Sequence, residues 1–131
     1  MSKFVQTDYG NKIEILKFAD HFVALNVMVD DAGVTVNADG KKIVPAGTII
    51  GGGVLANGTG NVTIKNTQGG ATGTAGAGVD AEGVLLNDVD VTYGPASGAM
   101  ILHGFVDLAK LPATPCADAV TALKGRILFL K

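Results

Sequence analysis

The chain has no tryptophan, a single cysteine and few charges, and each shortage argues against a class of protein. Among 131 residues, charged residues make up 17% and aromatic residues 5%, and the formal net charge is -2. The few Lys and Arg residues are scattered, so no basic field for nucleic acid is expected. Cys116 has no second cysteine with which to form an internal disulfide. We therefore expect neither a nucleic-acid-binding protein nor a disulfide-stapled domain.

Long apolar runs are also missing. No run approaches the roughly 18 residues of a membrane-spanning helix, and the first residues lack the basic-then-apolar pattern of a signal peptide. We expect a protein made in a cytoplasm, with no membrane partner. Hydrophobic residues still make up 47% of the chain. With so few charges, part of the surface must be uncharged, which is typical of proteins that pack against other proteins.

Apolar runs separated by turns dominate what is present. Val84 to Tyr93 and Ala99 to Leu108 flank the turn-forming residues Gly94 to Gly98, which predicts a β-hairpin with a five-residue loop. His21 to Asp30 predicts another strand, because its alternate residues divide into two faces, one of them formed by Val23, Leu25, Val27 and Val29. The length suits one domain, residues 1–131. The predicted fold is mainly β, a β-barrel or a β-sandwich-like domain with hairpins, with an α+β fold as the minor alternative.

One short helix is predicted near the carboxyl end. Thr114 suits an N-cap, Pro115 suits the first helical position, and Gly125 is placed to end the helix. The face predicted to be buried holds Cys116, Val120 and Leu123. A last strand, Arg126 to Leu130, is expected to follow.

Residues 51–83 are rich in glycine and are expected to form a loop region. Such a composition loses much backbone entropy on folding and buries little apolar surface. Within it, Asn61 to Lys65 predicts one short strand, and Thr67 to Ala77 is expected to be the most flexible piece. At the other end of the chain, residues 1–10 are a possible extended arm or an edge strand.

A weak nucleotide-binding pattern lies at the start of this region. Gly51 to Ala56 reads GGGVLA, which matches the dinucleotide fingerprint with alanine in the last place. That fingerprint requires a crossover helix and an acidic residue about 20 positions later. The residues after Ala56 do not favour such a helix, and the first acidic residue is Asp80. A flexible loop is the favoured interpretation, and no cofactor is expected.

Four titratable residues on the predicted hairpin are the best candidates for chemistry. They are Asp88, Asp90, His103 and Asp107. Two strands of one hairpin could hold a divalent cation between them, or an acid-base pair in a small hydrolase. The favoured interpretation is not a chemical site but a half-exposed strand in which Asp alternates with Val. Likewise, Cys116 is interpreted as part of a packed helix face. We assign no catalytic, cofactor or metal residue, and we do not expect an enzyme.

A family resemblance gives these patterns a context. Four segments of the chain carry it. They are Gly83 to Val91 (GVLLNDVDV), Leu102 to Leu108 (LHGFVDL), the closing strand Ile127 to Phe129, and the upstream VPAGT at 44–48. These segments resemble small capsid proteins of tailed bacteriophages. These are head decoration and head fibre proteins. The resemblance covers about two thirds of the chain, in a pattern of apolar strands with a few polar markers.

The resemblance implies a β-rich virion protein, similar in role to the lambda-type head decoration protein. Such proteins sit as trimers on the outside of the expanded shell and reinforce it. The implied partners are the major capsid protein of the shell and further copies of this chain, in a homotrimer. An amino-terminal arm contributes to attachment in that family. The corresponding candidates for capsid binding by strand addition are Phe4, Val5, Ile13 and Ile15.

Two alternatives stay open at this point. The nominated residues could instead complete the domain's own sheet. The protein could also be a head fibre or a receptor- or glycan-binding module that uses the glycine-rich loop, although the absence of tryptophan argues against a sugar-stacking site.

Overall fold

A computed structural model describes residues 14–69 and 76–131, and these residues form a mainly β fold, as predicted. The strands are β1 (Phe22–Val29), β2 (Ile43–Val44), β3 (Ile49–Gly51), β4 (Asn61–Ile64), β5 (Gly83–Leu85), β6 (Val89–Asp90), β7 (Ala96–Asp107) and β8 (Ile127–Leu130). The helices are α1 (Val54–Asn57) and α2 (Ala117–Ala122), with 3-10 turns at Ala77–Asp80 and Leu108–Lys110.

Five of the strands close into a ring. β1 pairs with β4, β4 with β3, β3 with β5, and β5 with β7, and β7 pairs back with β1. This closure makes a small barrel, one of the two architectures expected from the sequence. β8 runs parallel to β7 outside the ring, and β2 and β6 form a separate antiparallel pair.

The long strand β7 holds the barrel together. Its first nine residues, 96–104, run antiparallel to β1, and Met100 and Ile101 pair with β5 on its other edge. β8 then pairs with residues 104–107. A bulge interrupts the ladder between Val23 and Ala24 of β1. Bulges increase the local twist, which a small barrel needs in order to close.

The predicted hairpin is present but its first arm is divided. Gly83–Leu85 pairs with β7 as expected, whereas Val89–Asp90 leaves that sheet and pairs with β2. The Asp88 carboxylate accepts a hydrogen bond of 2.7 Å from the Ala46 N–H between the two parts. Val84 to Tyr93 is therefore two short strands in two sheets, and the single continuous arm was a wrong prediction.

Two apolar cores lie on the two sides of the barrel wall. The inner core includes Val27, Val29, Val44, Ile50, Val54, Val62, Leu85, Val89, Val91 and Met100. The outer core includes Ile15, Leu16, Ala46, Ile49, Ala81, Val84, Ile101, Val106, Ala119, Leu123 and Ile127. Adjacent residues of one strand serve opposite cores, as Ile49 and Ile50 do, because side chains alternate across a strand.

Helix α2 covers the outer core with two residues of the predicted face, Cys116 and Leu123, but not with Val120. It begins after Cys116, and in its first turn the N–H of Asp118 donates a hydrogen bond of 3.0 Å to the Gln68 side chain. Ala119 and Leu123 are fully buried, whereas Val120 is 45% exposed, so the expectation for Val120 was wrong. Lys124 and Gly125 both have positive φ, 53° and 72°, and they turn the chain into β8. The predicted last strand is confirmed.

The glycine-rich span contains more regular structure than predicted. β4 confirms the strand expected at Asn61 to Lys65, and α1 is an additional helical turn directly after the glycine run. A flexible loop at Gly51 to Ala56 was therefore a wrong prediction. Of Thr67 to Ala77, residues 70–75 lie outside the described part of the chain, and so does the proposed arm at 1–10.

Candidate interaction surface

Of the four residues nominated for shell attachment, the described part of the chain includes only Ile15. Phe4, Val5 and Ile13 lie outside it. Ile15 is 0% exposed and belongs to the outer core, and its carbonyl accepts a hydrogen bond of 2.7 Å from the Asp107 N–H. Its side chain is not available to a partner, so this nomination is corrected. Ile15 instead contributes to the domain's own core.

The most exposed apolar element is β1. The exposed fractions of its side chains are 39% for Phe22, 56% for Val23, 37% for Leu25 and 42% for Met28. Only Val27 and Val29 of this strand are buried. Large side chains of this kind cost free energy in water, about 1.5–3 kcal/mol each relative to full burial. Because side chains alternate across a strand, Val23 and Leu25 lie on one face and Phe22 and Met28 on the other, so β1 offers exposed apolar side chains to a partner on both faces.

One edge of the same strand is also largely open. β7 pairs with β1 from Phe22 to Val29, but β4 reaches only Met28 and Val29 on the other side. Within residues 14–69 and 76–131, no strand pairs with the second edge of β1 from Phe22 to Val27. An open edge presents backbone N–H and C=O groups that can pair with an added strand.

Aromatic and imidazole rings extend the surface at the beginning of β1. The ring centroids of Phe18 and Phe105, of His21 and His103, and of His21 and Phe105 are each 5.4 Å apart. Phe18 is half exposed, and both histidines are exposed. The first two pairs have the edge-to-face geometry that aromatic rings prefer, and the third is tilted by 40°. The cluster therefore places two phenyl rings and two imidazole rings next to one another at the beginning of β1.

A groove of about 920 Å³ adjoins β1 through Val23. Its other apolar lining residues include Leu55, Val79, Leu102 and Ala122. Leu55 and Val79 are each nearly half exposed, so the groove is open to solvent. Its volume lies at the upper end of the range for binding sites of about 300–1,000 Å³.

Positively charged side chains border this groove. Lys65, Lys124 and Arg126 line it, together with Asp80 and Glu82. The Arg126 guanidinium donates hydrogen bonds of 3.1 Å to the carbonyls of Leu102 and Glu82, which fix its position. Within the described residues, the one ion pair within 4.0 Å joins Lys42 and Asp31. None of the three cations of the groove therefore has a carboxylate of the described residues within 4.0 Å.

The Glu82 carboxylate is occupied by the backbone at the start of α1. It accepts hydrogen bonds from the N–H groups of Gly52 at 2.7 Å, Val54 at 3.0 Å and Leu55 at 2.7 Å, and also from Gly53. Helix starts leave such N–H groups without partners, and a carboxylate is their natural acceptor. The glycine-rich turn that resembles a nucleotide-binding fingerprint therefore uses its backbone N–H groups to bind the Glu82 carboxylate of the same chain.

Two glycines make this turn possible. A Cβ atom at Gly52 would lie 2.1 Å from the Asn61 carbonyl oxygen, and Gly53 has φ 77°, which favours glycine. Burial raises the pKa of Glu82, but the four backbone donors outweigh it and hold the pKa below its ordinary value. The carboxylate is consequently charged, and it is saturated by its own backbone.

The four titratable residues of the predicted hairpin do not come together. Asp88 binds the Ala46 N–H, Asp107 accepts from the Ala109 N–H at 3.0 Å, and Asp90 accepts from Thr92. The Thr92 hydroxyl, with the Thr92 N–H, lowers the pKa of Asp90. His103 instead lies beside His21. Within the described ranges, no three His, Cys, Asp or Glu side chains are grouped as metal ligands.

Cys116 packs between two segments at the start of α2. Its N–H donates a hydrogen bond of 2.8 Å to the Asn66 side chain, and its thiol is half-buried. A Cβ atom at Gly78 would lie 2.6 Å from the Cys116 Sγ. The thiol thus fills the space next to a glycine, which is a packing role.

Sequence reasoning did not single out the groove residues Lys65, Glu82, Lys124 and Arg126. The one available signal was Glu82 itself, an isolated carboxylate beside a glycine-rich stretch that needs an acceptor. Its partner turn begins 30 residues earlier, so no local pattern joins the two.

Comparison of the chain with models of known protein families and with curated proteins gives no match. In the part of the chain that the structure describes, no helix has the length and apolar character needed to cross a membrane.

Proposed function

We propose that this protein binds the outside of a tailed-bacteriophage capsid and stabilises the shell. The observation that carries the proposal is the exposed apolar strand β1, which has four large side chains more than a third exposed and, among the described residues, no strand partner on its second edge from Phe22 to Val27. Exposed apolar surface of this kind is typical of a site that another protein covers. The resemblance of residues 83–91 and 102–108 to capsid decoration proteins supports the shell as the protein that covers it.

The physical basis of the activity is repetition of a modest contact. A standard interface buries about 800 Å² on each partner. When several copies bind neighbouring sites of one shell, each contact raises the effective concentration for the next. A binding site that spans two shell subunits also opposes their separation. Binding alone therefore stabilises the shell, and no chemical step is required.

The proposal includes self-association into a homotrimer and a location on the capsid exterior. Three copies that bind as a unit gain avidity from the same contact surface. Sedimentation equilibrium measures this directly. We expect a mass three times the 13.2 kDa of the chain.

Co-sedimentation with undecorated heads tests the proposal. Purified protein is titrated onto expanded shells and onto unexpanded procapsids, and the bound copies are counted. We expect saturable binding to expanded shells, at a whole-number ratio to the major capsid protein. Decorated shells should also release their DNA at a higher temperature than bare shells. Absence of binding to either form of the shell would overturn the proposal and favour a fibre or receptor-binding module.

A further inference from the structure

We propose that the open edge of β1 and the adjoining groove bind an extended, acidic segment of a partner protein. The inference rests on the proposed function only for the identity of that partner, which is then the shell protein. Two independent features of the described residues support it, namely the edge and the charge of the groove.

The edge is a preformed template for strand addition. β7 holds β1 from Phe22 to Val29, so the strand is already in its extended conformation. Its second edge has a strand partner only at Met28 and Val29 among the described residues. An incoming extended segment can therefore pair with residues 22–27 without any reordering of β1.

The groove provides places for the side chains of such a segment. Side chains of an added strand alternate between the two faces of the sheet. Val23 is a residue of β1 that also lines the groove. Side chains of the added strand that lie on the same face of the sheet as Val23 therefore enter the groove. There they meet the exposed apolar side chains of Leu55 and Val79. This lining selects apolar side chains at alternate positions.

The charge of the groove selects an acidic segment. Lys65, Lys124 and Arg126 have no carboxylate within ion-pair distance in the described residues. Two carbonyls hold the Arg126 guanidinium in place, and a fixed guanidinium favours a carboxylate partner. Two carboxylates, Asp80 and Glu82, also line the groove, so three cations against two anions leave it a formal charge of +1. The groove is thus locally positive although the chain as a whole is negative.

The first test uses the full chain and a fluorescein-labelled octapeptide in which valine alternates with threonine or glutamate, with three glutamates in all. Fluorescence anisotropy should show saturable binding. The same peptide with lysine in place of glutamate should bind at least about 10-fold more weakly, because like charges then meet at the groove. N-methylation of alternate backbone amides should also abolish binding, since it removes the donors needed for strand pairing.

Matched variants locate the binding site. Leu55→Ser lies in the groove and Leu128→Ser lies outside it, and the two leucines are equally exposed, at 46%. Only the first should weaken peptide binding. The double variant K65Q/K124Q should weaken binding by about 3- to 10-fold, the effect of losing two exposed ion pairs, whereas K110Q should not change it.

Three results would overturn the proposal. They are equal binding of the acidic and basic peptides, equal binding by Leu55→Ser and Leu128→Ser, and a change in oligomeric state of Leu55→Ser without any peptide binding. The last result would identify the groove as a contact between copies of this chain.

The two proposals fail in different ways. Peptide binding without shell binding would contradict the decoration function alone. Shell binding that is equal for both leucine variants, with no peptide binding, would contradict the groove proposal alone.

Discussion

The carboxylate of Glu82 and the backbone N–H of Leu55 are hydrogen bonded at 2.7 Å, although 27 residues separate them in the sequence. This bond, with those to Gly52, Gly53 and Val54, fastens the start of α1 to the segment that leads into β5. The glycine-rich turn and the barrel wall therefore form one hydrogen-bonded unit.

Replacing this carboxylate should destabilise the fold. Glu82→Gln keeps the shape of the side chain but removes the charge and places an amide donor among backbone donors. We expect the free energy of unfolding to fall by about 2–3 kcal/mol, as for buried hydrogen bonds to a charged group. Urea denaturation measures this. Asp80 is an exposed neighbour of Glu82, and Asp80→Asn serves as the control. This substitution should change the free energy of unfolding by less than about 0.5 kcal/mol.

The same carboxylate predicts a dependence of stability on pH. The pKa of Glu82 is lower in the folded protein than its ordinary value of 4.5. Its contribution is therefore fully present above that value and is lost as the pH falls through the folded pKa. The stability difference between wild type and Glu82→Gln should narrow below about pH 4.5. A difference that stays constant down to about pH 3 would contradict this prediction.

Ile15 is predicted to contribute to stability rather than to attachment. Because its side chain is fully buried, Ile15→Ala should lower the free energy of unfolding by about 2–4 kcal/mol. Leu128→Ala, at a half-exposed position, should cost less than about 1 kcal/mol. Urea denaturation compares the two variants. A stable Ile15→Ala protein that no longer binds shells would return Ile15 to the attachment surface.

Lys124 occupies a backbone conformation that costs a side chain free energy. Its φ is 53°, in the left-handed region, directly before Gly125. Lys124→Gly should therefore be more stable than Lys124→Ala by about 1 kcal/mol, because both variants lose the side chain but only alanine keeps the strain. Thermal unfolding of the two variants shows which of them is the more stable. Equal stability would show that this turn relaxes without cost.

The sequence predicted the elements whose stability comes from local patterns. Alternation located β1, and the succession of Pro115 and Gly125 located α2 to within a few residues. It misplaced the buried face of α2, because Ala119 rather than Val120 meets the outer core. A short helix with several small residues has no strong apolar side to indicate its orientation.

Features that depend on distant residues were not predictable in this way. The first arm of the hairpin divides because Val89 and Asp90 pair with β2, about 45 residues earlier in the chain. Within the described part of the chain, the second edge of β1 is open from Phe22 to Val27 because β4 pairs only with Met28 and Val29. In both cases the strand itself is visible in the sequence, whereas its partner is set by the closure of the barrel.

One pair of matched variants tests whether β1 is the surface that meets the shell, as we propose. Val23→Glu alters β1, and Val120→Glu places the same change on the exposed face of α2. Denaturation midpoints first establish that both variants fold, and co-sedimentation with expanded shells then measures their affinities. We predict that Val23→Glu binds at least about 10-fold more weakly than wild type, while Val120→Glu binds normally. Normal binding by Val23→Glu would contradict the account.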